Sequence, residues 1–185
     1  SLQCVGSTPD EIVRLAAENL LLAEYTFAKF KKQEKKGRTL KSVNLVVAPD
    51  RGVTKALRTG KVTAQYANIA RDLANSPASS MAPTTFADEV KALGKKVGVT
   101  VRALGPTEME KERMGAILGV AKGSVEEPRF VIMEYSGGQK NAAPLVFVGK
   151  GVTFDSGGIN LKPSQAMSDM HMDMSGGAAV VSAVA

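Results

Sequence analysis

Apolar residues recur at helical intervals along the first thirty positions: Ile12, Leu15, Ala16, Leu20, Tyr25 and Phe30 make one long stripe behind Thr8-Pro9-Asp10-Glu11. Thr8 suits an N-cap, Pro9 the first helical position and Glu11 the closing position of a capping box. A helix is therefore predicted from Pro9 to a lysine-rich stop near Gly37. Residues 43–47 read as a strand ended by Pro49-Asp50-Arg51-Gly52. From Val53 to Leu73 the pattern is helical again, weakened by Gly60, and it stops in the small-residue stretch Asn75-Ser76-Pro77-Ala78-Ser79-Ser80. That stretch predicts a domain boundary. Beyond it, Thr84 or Thr85 caps a helix to Leu93, residues 99–104 form a strand, and a short helix covers about residues 107–113. Residues 130–135 and 145–148 are two more strands. The second, Leu145-Val146-Phe147-Val148, is the continuous apolar run expected of a strand covered on both faces. Residues 176–185 predict a small-residue helix suited to close packing on a sheet, and an end inside such a helix predicts a longer natural protein.

Alternation of strands and helices predicts an α/β layered fold. Composition adds limits. At 185 residues, 44% hydrophobic and 23% charged, the chain can bury the core of one domain, or of one and a fragment. No apolar run approaches the roughly 20 residues of a membrane span. The net charge of +6 is local, crowding Lys29, Lys31, Lys32, Lys35, Lys36, Arg38 and Lys41. Aromatic residues for stacking on bases are absent there beyond Phe30, so a solvated helix end and loop is the reading preferred to a nucleic-acid patch. Cys4, the single cysteine, has no partner for an internal disulfide, which suits a reducing compartment. The opening residues lack a basic stretch followed by an apolar one, and no secretory leader is expected.

The chemistry concentrates after the strand at 145–148. There Val148-Gly-Lys-Gly-Val-Thr-Phe-Asp-Ser-Gly-Gly158 places Lys150 and Asp155 at a strand's carboxyl end, where open α/β sheets bind ligands. Gly149, Gly151, Gly157 and Gly158 permit positive-φ turns and close backbone approach. The glycines match neither a P-loop nor a dinucleotide fingerprint, because the upstream glycine of the first is missing and Phe154 occupies the last glycine's place in the second. Asp155, Asp169 and Asp173, with Lys162 between them, are hard ligands in a stretch otherwise poor in charge. A lysine joins a metal only as the neutral amine, which burial and a nearby dication favour. Spacing alone does not establish a metal site.

The run from Val148 to Pro163, followed by Met170-His-Met-Asp-Met-Ser-Gly-Gly-Ala-Ala179, resembles the metal-binding segment of the leucyl (cytosol) aminopeptidase family. Residues 70–78 resemble the family's boundary before the catalytic domain, and Gly119-Val-Ala-Lys-Gly-Ser124 with Pro128-Arg129 also fits. The resemblance implies a three-layer αβα catalytic domain with a mostly buried mixed sheet, of which the first half is residues 76–185. It also implies a linker helix over 53–75 and, in 1–52, the remnant of an N-terminal α/β domain. Residue by residue it implies that Lys150 binds one metal through its amine, Asp155 bridges two metals, Asp173 shares the metal of Lys150, and Lys162 is catalytic. Lys150, Asp155, Lys162, Met170 and Asp173 would face substrate, Met170 lining the pocket for its first side chain. His171, two residues from Asp173, is not a ligand position in the family; Asp169 and Ser156 read as turn groups, and Glu126 and Glu127 as exposed loop charges.

The implied function is hydrolysis of the N-terminal peptide bond of peptides, with leucine-like residues preferred. The implied cofactors are two divalent ions, Zn or Mn with Mg or Co as further options, and bicarbonate. A cytoplasmic homo-hexamer is implied for the complete enzyme. The family's Asn-Thr-Asp-Ala-Glu-Gly-Arg segment, with two further acidic ligands and the bicarbonate-holding arginine, does not occur in this sequence, and Ser175 interrupts the usual glycine run. The chain alone is therefore expected to be inactive. The rival from another class, a noncatalytic structural or nucleic-acid-binding member of the same fold, is opposed by the intact metal and lysine positions. A phosphate-handling α/β enzyme rests only on the glycines.

Overall fold

A computed structural model describes residues 8–32, 40–48, 51–138 and 142–185. The chain divides into two compact units, Ser1–Asn68 and Ile69–Ala185.

In the first unit, helix α1 spans Pro9–Ala23 and begins as the sequence predicts. The Thr8 hydroxyl accepts from the Glu11 N–H at 3.3 Å, and the Thr8 N–H donates to Glu11 Oε2 at 2.9 Å. It ends earlier than expected, at a cap on Glu24, because Tyr25, Thr26 and Phe27 are weak helix formers, and Tyr25 and Phe30 of the expected stripe fall beyond its end. The buried residues are Val13 and Ala17, one register from the expected stripe, while Leu15 is 42% exposed. The cause is the partner surface. Helix α2, Arg51–Asn75, presents buried Ala56, Gly60 and Ala64 at four-residue spacing, and the missing side chain of Gly60 lets it lie against the Arg14 carbonyl and Ala17. Gly60, read from sequence as a weakness, is a point of close approach between the two helices. Leu21's carbonyl accepts from Asn68 Nδ2 at 3.3 Å further along. The strand expected at 43–47 is not formed: residues 40–48 contain no helix or strand, and no partner strand for them occurs among the described residues. Cys4, Gly37, Pro49 and Asp50 lie outside the described residues.

In the second unit α2 ends at Asn75, and buried Ser76 donates its hydroxyl to the Asp72 carbonyl at 2.7 Å. Helix α3, Pro83–Val97, starts with Pro83 at its first position after Ala82, without the side-chain cap expected of Thr84 or Thr85. Gly98, at φ 77, closes it in the left-handed conformation that glycine tolerates. Strand β1 (Thr100–Leu104) pairs antiparallel with β2 (Phe130–Glu134), from Thr100 opposite Glu134 to Leu104 opposite Phe130. Between them lie α4 (Pro106–Lys111) and α5 (Gly115–Ala121). The latter was not anticipated, since Gly115 and Gly119 dilute its helical signal. Helix α6, Ser164–Met167, and a 3₁₀ turn over Met170–Met172 lead into α7, Ser175–Val184.

Leu73, Met81, Phe86, Val90, Met174, Ala178 and Val181 form the core, with Val101, Val131 and Met133 of the sheet packed against it. Helices thus cover one face of a two-stranded sheet, an α/β arrangement. The expected strand at 145–148 is a correction. Leu145 is 81% and Val148 92% exposed, and the described sheet contains only β1 and β2. A continuous apolar run specifies a strand lying between neighbours, and the described residues supply none beside it.

Candidate metal centre

The segment from Gly149 to Asp173 has little regular structure, and its shape comes from glycines and local hydrogen bonds. Asp155 Oδ1 accepts the Gly157 N–H at 2.9 Å, an Asx turn that orients the carboxylate. Gly157 adopts φ 91, and a side chain there would run into the Asn160 carbonyl and the Lys162 backbone. The Lys162 N–H donates to the Ser156 carbonyl at 2.9 Å, closing the loop and returning Lys162 to Asp155. Lys162 Nζ then donates to Asp155 Oδ2 at 2.8 Å and to the Met170 sulfur at 2.9 Å. Of the four glycines, Gly157 and Gly158 use positive φ, Gly149 lies against Gly176 and Gly177, and Gly151 has its Cα beside Gly177 but open space at its own Cβ position.

A second pair forms where the turn before α7 meets this segment. Lys150 Nζ lies 2.8 Å from Asp173 Oδ2, with the Asp173 side chain 18% exposed. That oxygen is buried and faces the Lys150 ammonium, so the ion pair ties the two segments together. The Asp173 carboxylate raises the Lys150 pKa above its ordinary value; partial desolvation opposes this, and the Asp155 charge adds to the rise. Asp155 is held below its ordinary value by Lys162, by the Gly157 amide, and then by the charge of Lys150. Lys150 therefore feels both carboxylates, and the structure brings together Lys150, Asp155, Lys162, Met170 and Asp173.

Two carboxylates are balanced by two ammonium groups, and the described residues include no cluster of three or more His, Cys, Asp or Glu side chains suited to a metal. The donor set nevertheless fits part of a dication's shell: a buried carboxylate oxygen facing only a positive charge, a second carboxylate within electrostatic reach, and a lysine that becomes a nitrogen ligand on losing its proton. His171 Nδ1 lies 3.3 Å from the Ser168 carbonyl. Ser156 Oγ receives the Gly158 N–H at 3.4 Å, and Asp169 caps the 3₁₀ turn through its backbone. Glu127 pairs with Arg129 at 2.8 Å. A shallow hollow of about 220 Å³ between Pro106, Leu118, Val125 and Pro128 contains none of the site residues. The direct approach of Gly176 and Gly177 to Lys150 was not foreseen, although the small-residue run of α7 signalled close packing of some kind.

Comparison with known proteins identifies the family. Residues 68–185 match the model of the cytosol aminopeptidase family, catalytic domain. A probable cytosol aminopeptidase of Rhizobium leguminosarum bv. trifolii is 42% identical over 169 residues, covering 89% of this chain and 34% of the relative. One of Rhizobium etli is 41% identical over 187 residues, covering 97% of this chain and 37% of the relative. Among solved structures, the bottromycin maturation enzyme BotP in complex with Mn aligns with a TM-score of 0.78 at 31% identity, covering 96% of this chain and 36% of BotP. The chain spans about a third of the length of the curated relatives it matches.

Proposed function

Because the chain belongs to the cytosol aminopeptidase family, we propose that it supplies the first half of the active site of a two-metal aminopeptidase, which removes N-terminal, leucine-like residues from peptides. The observation that carries this reading is the meeting of Lys150 with Asp173 just before α7, with Lys162 paired to Asp155 in the adjoining loop. Lys150, Asp155 and Asp173 are the protein ligands this chain offers. The bound ions, Zn or Mn with Mg or Co as further options, would supply Lewis-acid polarisation and an activated water. The manganese in the BotP complex supports Mn as the first choice to test.

Lys162 is the proposed hydrogen-bond donor. Its ammonium rests between Asp155 and the Met170 sulfur, and it donates to the peptide carbonyl oxygen as negative charge develops there. Met170, beside that ammonium, contacts the first side chain of the substrate. Residues 76–185 belong to a three-layer αβα domain with a mixed sheet completed by the remainder of the protein. Residues 53–75 form a linker helix, and 1–52 are the end of an N-terminal domain. The complete protein would be a cytoplasmic hexamer that uses bicarbonate held by an arginine outside this sequence.

The ligand count tests this. Asp155 and Asp173 bring two negative charges to two dications, so the 185-residue chain alone should show no turnover of an N-terminal leucine substrate, even with Mn²⁺ added. Adding a polypeptide that carries the remaining portion of the relatives should restore it. Turnover by the chain alone would overturn the two-metal reading.

A further inference from the structure

The two ends of the Lys150–Asp173 pair lie on different segments, and something must hold those segments in register. The start of α7 touches the backbone around Lys150 directly. The Gly177 N–H donates to the Lys150 carbonyl at 2.6 Å. A Cβ built on Gly149 would stand 2.5 Å from the Gly176 carbonyl oxygen and 2.8 Å from the Gly177 Cα. On Gly176 it would stand 3.1 Å from the Lys150 nitrogen, and on Gly177 3.0 Å from the Lys150 oxygen. Every one of these neighbours is backbone, which cannot swing aside as a side chain can. Gly151 differs: nothing lies within 4 Å of its Cβ position and its φ is not positive, so glycine is not required there.

We infer that Gly149, Gly176 and Gly177 are positioning residues for the proposed metal centre, setting the span between Lys150 and Asp173 by letting α7 dock on bare backbone. Asp173 stands in the turn just before α7, four residues ahead of Gly177, and Lys150 supplies both the amine and the carbonyl that receives the Gly177 N–H. A methyl group at 149 would force the two backbones apart by roughly half an ångström or more, whereas metal–ligand distances tolerate about 0.2 Å. The displacement therefore exceeds what the ligands can absorb without moving. This inference rests on the proposed function for its link to metal, but the docking itself can be measured separately.

The experiment uses the complete protein with Gly149→Ala, Gly177→Ala and, as the matched control, Gly151→Ala. Hydrogen exchange at the Gly177 amide reports docking, and calorimetric titration with Mn²⁺ alone reports the site. Gly149→Ala should speed Gly177 exchange and weaken Mn²⁺ binding, each about 10-fold or more, while the Val181 amide deeper in α7 keeps its protection. Gly177→Ala, the milder clash, should do the same in smaller measure and covers the case of a misfolded Gly149→Ala. Gly151→Ala should stay within about twofold of the parent in both measurements. Equal behaviour of the 149 and 151 variants would overturn the inference, and so would loss of protection along the whole of α7, which would mean that the glycines serve the core alone. If the parent protein binds no Mn²⁺, the proposed function fails, and the exchange measurement still decides whether these glycines dock α7.

Discussion

Lys150 and Lys162 carry the same side chain within one segment and each meets a carboxylate, yet the proposed function gives them opposite chemistry. Lys150 faces the buried Asp173 oxygen and must lose its proton to become a ligand; Lys162 bridges Asp155 and Met170 and must keep its proton to donate. In the complete enzyme Lys162→Ala should leave metal bound and lower kcat by roughly 10²-fold or more, the scale for losing one oxyanion donor. Lys150→Ala should lower metal content first. Metal analysis alongside turnover separates them, and the reverse pattern would exchange their roles. A pH dependence follows from the same contacts. Since Asp173 raises the Lys150 pKa above its ordinary value, the proton is present throughout neutral pH, and metal uptake must expel it. Affinity should therefore rise by up to about tenfold per pH unit between about pH 6 and 8, with proton release visible as buffer-dependent heat. A pH-independent affinity would argue against Lys150 as a ligand. The pairing of Lys150 with Asp173 acts in the other direction on the fold: it stabilises below the ordinary lysine value and fades as pH rises through the raised one. These residues could be named in the sequence because their motif is continuous from Val148 to Pro163. The Lys162–Met170 contact could not, since it depends on how α6 folds back between them.

At the scale of elements, signals confined to one turn were legible and signals that depend on a partner were not. The capping box of α1 appears as read, because Thr8 and Glu11 act within one turn. The buried register of α1 and the meaning of Gly60 needed α2 beside them. Two glycine substitutions separate these cases. Gly60→Ala should destabilise the protein by about 1–2 kcal/mol, because the clash with the Arg14 carbonyl outweighs the gain in helix propensity. Gly119→Ala, inside α5 with nothing within 4 Å, should stabilise it by about 0.5–1 kcal/mol. Urea denaturation of both variants measures this, and a stabilising Gly60→Ala would remove the close approach from the account of α1 and α2.

At the scale of the whole molecule, the second unit buries Leu73, Phe86 and a set of methionine, valine and alanine side chains behind one face of a two-stranded sheet, while residues 145–148 lie outside that sheet. Their hydrophobicity was plain in the sequence; their neighbours were not, since strand pairing joins residues far apart in the chain. That bare stretch has a practical consequence for anyone purifying the chain. Four consecutive β-prone apolar residues, Leu145 to Val148, carry no charge and no proline, and they are largely exposed. This is the composition of an aggregation-prone segment. Concentrated solutions of the 185-residue chain should form thioflavin-binding fibrils after a lag. A single gatekeeper charge, Val146→Lys, should lengthen that lag several-fold without altering the helical circular dichroism, and an unchanged lag would place the nucleus of assembly elsewhere in the chain.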